Sequence, residues 1–163
     1  MRRFLLAVTA LFFAFGVAAR TPPQMAPADE RADRILVDKS ERSLRLYRGE
    51  QLLGTYRIRL GAQPQGHKRE EGDEKTPEGD YRIDYKNEQS KFHLSLHVSY
   101  PNDTDREQAR QRDVSPGGDI MIHGGNAFWR SFNWTDGCIA VSDKEIEAIW
   151  RLVDVGTIIT IDP

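Results

Sequence analysis

Apolar and polar side chains alternate with a period of two in one short segment after another, from Ile35 almost to the C-terminus, and no helix satisfies that pattern. Ile35 and Val37 form one such pair, Leu44 and Leu46 another. Tyr56, Ile58 and Leu60 follow, with Arg57 and Arg59 between them. Gly49-Glu50 separates Leu46 from Leu52 as a hairpin turn would, and Tyr81 to Tyr85 repeats the alternation after Pro77 and Gly79. Further strands are expected at Leu94 to Tyr100, Asp119 to His123, Gly137 to Val141 and Thr157 to Ile161. Half-buried strands of this kind make a mainly β domain, chiefly antiparallel.

Two segments break the alternation. Asp105 to Arg112 is polar throughout and reads as a minor surface helix. Ser142 to Val153 carries Ile146, Ile149, Trp150 and Val153 at helical spacing, and Ser142 with Glu145 forms a capping box that satisfies open amides of the first turn. One amphipathic helix near the C-terminus is therefore expected to pack on the strands. At 163 residues the chain holds one domain with one core. Charged residues are 29% and the formal net charge is −2 with the signs interspersed, so electrostatic capture of nucleic acid is excluded.

The N-terminus differs from the rest. Arg2 and Arg3 precede an uncharged run from Phe4 to Ala19, with Val17 and Ala19 presenting small side chains before Arg20. Residues 1–19 have the layout of a secretory signal peptide, with an uncleaved anchor as the alternative. Residues 20–33 hold three prolines and no apolar period, which reads as a linker, so the domain is expected to span 34–163. The chain has one cysteine, Cys138, and none directly after the apolar run, so no lipid anchor is expected. In an exported chain an unpaired cysteine is a buried filler, a partner for another chain, or a reactive group.

Chemistry gathers around that cysteine. Ile120-Met121-Ile122 delivers His123 into the turn Gly124-Gly125; fifteen positions after His123 comes Cys138, with the unobstructed amide of Gly137 beside it. A thiol near its reference pKa of ~8.5 is only slightly ionised at neutral pH, so a nucleophilic cysteine needs a base, which His123 can supply. The amides of Gly137 and Cys138 are candidate donors to an oxyanion. Spacing alone leaves the buried-filler reading open as well.

The two segments together resemble the catalytic domain of the L,D-transpeptidases, also called the YkuD family. Thr76 to Ile83 is similar to that family's TPxGxYxI stretch, and Ser115 to Gly124 to its approach to the histidine. The resemblance runs from about Ile35 to Ile161. It implies a β-sandwich-type catalytic domain, exported to the periplasm or cell envelope, whose cysteine forms a thioester with peptidoglycan stem peptides and passes the acyl group to an amine. It implies Cys138 as nucleophile, His123 as base, a Gly124 carbonyl that orients the imidazole, and no cofactor. Thr135 stands where the SxGCxR pattern has serine, and Ala140 where it has arginine. WTDGCIAV resembles a branch that includes hydrolytic amidases releasing peptidoglycan-linked protein, so hydrolysis is the alternative to transfer.

Trp134, Thr135 and His97 are expected to contact substrate, Trp129 to wall the cleft or pack the loop, and Arg130 to replace the cation missing at position 140. His93 and His97 are four apart, but Leu94-Ser95-Leu96 alternates like a strand and no HExxH glutamate is present, so no metal is expected. His67 falls in the polar stretch from Gly61 to Lys75, read as a solvated turn.

Overall fold

The computed structural model describes residues 21–125 and 133–163. The expected signal peptide, Trp129 and Arg130 lie outside the described residues. Among the described residues eight strands and two α-helices follow in the order β1 (Ala32–Asp38), β2 (Ser43–Arg48), β3 (Gln51–Arg57), β4 (Gly79–Asn87), β5 (Ser95–Val98), α1 (Asp103–Gln111), β6 (Met121–His123), β7 (Ile139–Ala140), α2 (Asp143–Leu152) and β8 (Val153–Asp162). They form one sheet in the order β3-β2-β1-β8-β4-β5-β6-β7. Most neighbours are antiparallel, but β1 with β8 and β6 with β7 run parallel.

The hairpin turns where expected: Arg48 faces Gln51, and Gly49 takes the positive φ of 52° that opens the two-residue turn. The strand expected to continue through Leu60 stops at Arg57. Ile58 and Leu60 remain fully buried, but Arg59 pairs with Ala140 of β7. Because β3 and β7 are the two ends of the strand order, that pairing brings the ends together and curls the sheet around one core. Ile35, Leu46, Ile83, Leu96, Ile122, Ile139 and Ile159, drawn from seven strands, belong to a single buried cluster. Burying such side chains contributes about 1.5–3 kcal/mol each before chain entropy is subtracted.

Both helices are capped as their sequences require. In α2 the Ser142 hydroxyl accepts from the Glu145 amide and the Glu145 carboxylate accepts from the Ser142 amide. Ile146, Ile149 and Trp150 face the core. Val153, expected to end the helix, instead starts β8 at φ −111°, ψ 124° and pairs with Ala32. Lys86 closes the helix end: its ammonium donates to the Trp150 and Val153 carbonyls at 2.7 and 2.8 Å and lies 4.2 Å from the Trp150 ring centre. Helix α1 starts two residues before the expected Asp105, because Asn102 and Asp105 form a second capping box.

The expected linker is partly folded. The Ala26 amide donates to the Arg151 carbonyl, a 3-10 turn covers Ala28–Glu30, and Arg31 forms an ion pair with Asp154 at 2.7 Å. Those contacts come from α2 and β8, more than a hundred residues away, and local proline content gives no sign of them. The stretch from Gly61 to Lys75, exposed along much of its length, is also pinned from within. The Asp73 carboxylate accepts the amides of Arg69, Glu70 and Lys75 and binds Lys68, which is only 3% exposed. His67 accepts the Glu78 amide at Nδ1 and faces Asp105 at 3.1 Å.

Candidate active site

His123 and Cys138 lie on neighbouring strands. Ser95, Leu96 and His97 of β5 pair with His123, Ile122 and Met121 of β6; Ile122 and His123 pair in turn with Ile139 and Ala140 of β7. Paired residues share a face. Leu96, Ile122 and Ile139 are fully buried in the core, so His97, Met121, His123 and Ala140 occupy the other face. Alternation from Ile139 turns Cys138 to that second face as well. Its Sγ lies 3.4 Å from the Met121 amide nitrogen and 3.5 Å from the Asp119 carbonyl oxygen. One strand spacing and a two-residue offset put the His123 and Cys138 Cα atoms roughly 8 Å apart.

The imidazole is held in one orientation. Its Nδ1 lies 2.6 Å from the Gly124 carbonyl and donates to it, which leaves Nε2 as the acceptor. Gly124 has no room for a side chain: a Cβ there would come within 3 Å of Ile146, Asp143 and the Phe92 carbonyl. The Asp143 carboxylate accepts the Gly125 amide at 2.7 Å, so the first residue of α2 fixes the turn after the histidine. The Phe92 ring lies 4.6 Å from the imidazole, tilted by 30°, and Trp134 meets it edge-on at 5.7 Å. Phe92, exposed at 44%, is a site residue that the sequence reading passed over; it follows no periodic pattern.

Burial favours the neutral form of both groups. Burial pushes the His123 pKa below its ordinary 6.5, against the opposing pull of the Gly124 carbonyl. Burial pushes the Cys138 thiol above 9.0, with Asp136 and Asp119 adding to the shift and the Met121 amide and Lys68 working against it. An ion pair between the two side chains is thereby disfavoured.

Thr135 and Gly137 bond to each other within the cysteine turn. The Thr135 hydroxyl is buried inside the turn, where it donates to the Cys138 carbonyl at 2.7 Å and accepts the Gly137 amide at 3.3 Å. Thr135 is thus buried and holds the backbone on either side of the cysteine turn. The Gly137 amide, expected to face an oxyanion, is engaged with that hydroxyl, and the Cys138 amide is the remaining candidate. Gly137 adopts φ 117° and a Cβ there would lie 2.5 Å from the Lys75 carbonyl, so only glycine fits. The pinned loop before Lys75 is therefore one wall of the cysteine turn.

His97 faces the same side as His123, stacked 4.7 Å from Tyr85 with its Nδ1 2.5 Å from Asp84. A bulge in β4 puts Tyr85 there: Ile83 pairs with Val98 but Tyr85 pairs with His97, so Tyr85 leaves the inward face that simple alternation gives it and is 42% exposed. His93 lies instead against Glu147 of α2 at 2.7 Å, so the two histidines do not converge.

Residues 32–161 match the L,D-transpeptidase catalytic domain model. YafK of Escherichia coli K12, whose name places it among the L,D-transpeptidases, is 32% identical over 73% of this chain and 46% of its own length. The chain spans about half the length of the curated relatives it matches. Among solved structures, the helical cell shape determining protein Pgp2 from Campylobacter jejuni superposes with a TM-score of 0.64 at 26% identity, covering 82% of this chain and 48% of that one. Bd1075 of Bdellovibrio bacteriovorus gives 0.59 at 25% identity, over 85% and 50%. An L,D-transpeptidase from Xylanimonas cellulosilytica shares the fold with a TM-score of 0.55 at 13% identity, over 83% and 62%. On the strength of the match across nearly all of its folded residues, the chain belongs to the L,D-transpeptidase catalytic domain family.

Proposed function

We propose that this protein is an exported cysteine acyl-enzyme that acts on peptidoglycan stem peptides as an L,D-transpeptidase. The observation that supports it most is the shared face of Cys138 and His123 on adjacent strands, with Nδ1 held by the Gly124 carbonyl and Nε2 left to accept a proton. Cys138 Sγ attacks the stem's amide carbonyl while Nε2 takes the thiol proton. The carbon–nitrogen bond breaks, the proton passes from His123 to the departing amine, and a thioester remains. A second amine then attacks the thioester, and its proton returns the thiol. The Cys138 amide meets the oxyanion in both steps.

Hydrolysis, with water in place of the second amine, is the alternative raised by Ala140, which is fully buried and offers no cation. One experiment tests both. Purified peptidoglycan is incubated with the full chain and its fragments are analysed by mass spectrometry, with Cys138→Ala as control. New cross-links dependent on Cys138 support transfer, and shortened or released stems without cross-links support hydrolysis. A digest unchanged by the wild-type protein overturns the proposal.

A further inference from the structure

We infer that His97, oriented by Asp84, is a second general base of this site, taking the extra proton from the acceptor's ammonium group before the amine attacks the thioester; the inference rests on the transpeptidase reading above. Cys138, Met121, His97 and Tyr85 form one row across the site face of the sheet. Tyr85 pairs with His97, and His97 with Met121. The register that pairs Ile122 with Ile139 carries back one residue to Met121 and Cys138, and the Cys138 Sγ lies 3.4 Å from the Met121 amide nitrogen. Two strand spacings put the His97 and Cys138 Cα atoms roughly 10 Å apart. The neighbouring row of His123 and Ala140 is buried, but this one reaches solvent: Cys138, Met121 and His97 are half-buried and Tyr85 is exposed.

The imidazole of His97 has one nitrogen to offer. A carboxylate only accepts, so the Asp84 carboxylate, 2.5 Å from Nδ1, takes that N–H, and Nε2 of the neutral ring is the acceptor. Tyr85 backs the ring at 4.7 Å, nearly parallel to it. Asp84 then faces the positive charge that the ring gains when Nε2 takes a proton. The transfer step calls for such a base. An alkyl amine, with a reference pKa of ~10.4, is the free base in roughly one molecule in a thousand at pH 7. The acceptor therefore arrives as an ammonium ion, and making an amide from it releases two protons. One passes through His123 Nε2 to the Cys138 sulfur as the carbon–nitrogen bond forms and the carbon–sulfur bond breaks. The other has to leave beforehand, because an ammonium nitrogen has no lone pair; His97 Nε2 takes it and releases it to solvent. Burial raises the pKa of Tyr85 and of Cys138, and Asp119 adds to both shifts, so its carboxylate is within electrostatic reach of both ends of the row and favours a cation there. Asp136 acts on the thiol in the same sense, and Lys68, which opposes them, is bound to Asp73. Carboxylates are weaker bases than imidazole and His123 serves the sulfur, which assigns the first proton to His97.

The test follows acceptor chemistry in the full chain. A tetrapeptide stem is the acyl donor, and the acceptor is either a second stem, whose amine is protonated at pH 7, or hydroxylamine, which is neutral there. Intact mass reads the Cys138 thioester and fragment mass spectrometry reads the products. In His97→Ala at pH 7 the thioester is expected to accumulate, and transfer to the stem relative to hydroxylamine to fall by about 10²- to 10⁴-fold, the range of general base catalysis. Raising the pH from 7 to 9 multiplies the free amine about 100-fold and relieves that loss. Asp84→Asn, at an exposed position, gives a smaller loss with the same pH rescue. An equal loss with both acceptors, a loss that higher pH does not relieve, or a thioester that no longer forms overturns the inference. Wild-type protein that forms no thioester, or passes it only to water, removes the transpeptidase reading itself and is recognised before any variant is made.

Discussion

Truncating Cys138 or His123 to alanine removes a group that no strand pairing needs, so each variant is expected to lose turnover by at least ~10³-fold and keep its fold. The double variant should be no worse than either single one, since the two act in one step. A Cys138→Ala protein that stays active but melts well below the wild type would return the thiol to a packing role. The pH dependence follows from the environment of the pair. His123 must be neutral to accept the proton, and its pKa is lowered from 6.5, so turnover is expected to hold down to pH 6.5 and fall only below it. An acid limb centred above 6.5 would contradict the burial argument. The same shift is linked to stability: as pH falls, the unfolded chain takes up this proton first, so the His123 contribution is full above 6.5 and declines from there towards the folded value. Cys138 acts in the opposite direction, its contribution declining as pH rises above 9.0.

Two local assemblies hold the site in place. Ser142→Ala opens the capping box of α2 and should cost about 1 kcal/mol in denaturant unfolding. Turnover should change little, because Asp143, rather than Ser142, binds the Gly125 amide. Asp73→Ala removes the pin of the loop that walls the cysteine turn and strands the buried Lys68 ammonium, at a cost of about 3–5 kcal/mol. Its effect should reach the chemistry through the Lys75 carbonyl packed against Gly137, lowering kcat even where the protein remains folded. Burial alone would raise the Asp73 pKa, but three amides and Lys68 outweigh it and hold the pKa below 3.8. That contribution is present above pH 3.8 and is lost as pH falls through the lower folded value. Retained kcat in a folded Asp73→Ala protein would show that the loop does not support the turn.

For the whole molecule, export predicts that protein recovered from the envelope begins at or near Arg20, which N-terminal mass analysis reads directly; Met1 retained on membrane-bound protein would identify the apolar run as an anchor. Local rules written in the sequence were enough to establish most of the strands, the Gly49 hairpin and the capping box of α2; His123 and Cys138 were named together only through the resemblance of short motifs. Each of the first three depends on neighbours within a few residues, through side-chain period, positive φ or a cap. What tertiary structure alone decided depends on partners far apart in the chain. The β4 bulge carries Tyr85 onto the His97 face against its own alternation, and Thr135 is drawn inside the turn to hold the Cys138 and Gly137 backbone. The prolines before Ala32 mark no boundary, because α2 and β8 bind that segment. Arg59 looks like one more polar residue in an alternating strand until the curled sheet sets it opposite Ala140. No spacing encodes that, since β-sheet pairing is fixed by the burial of the whole core and not by separation along the chain.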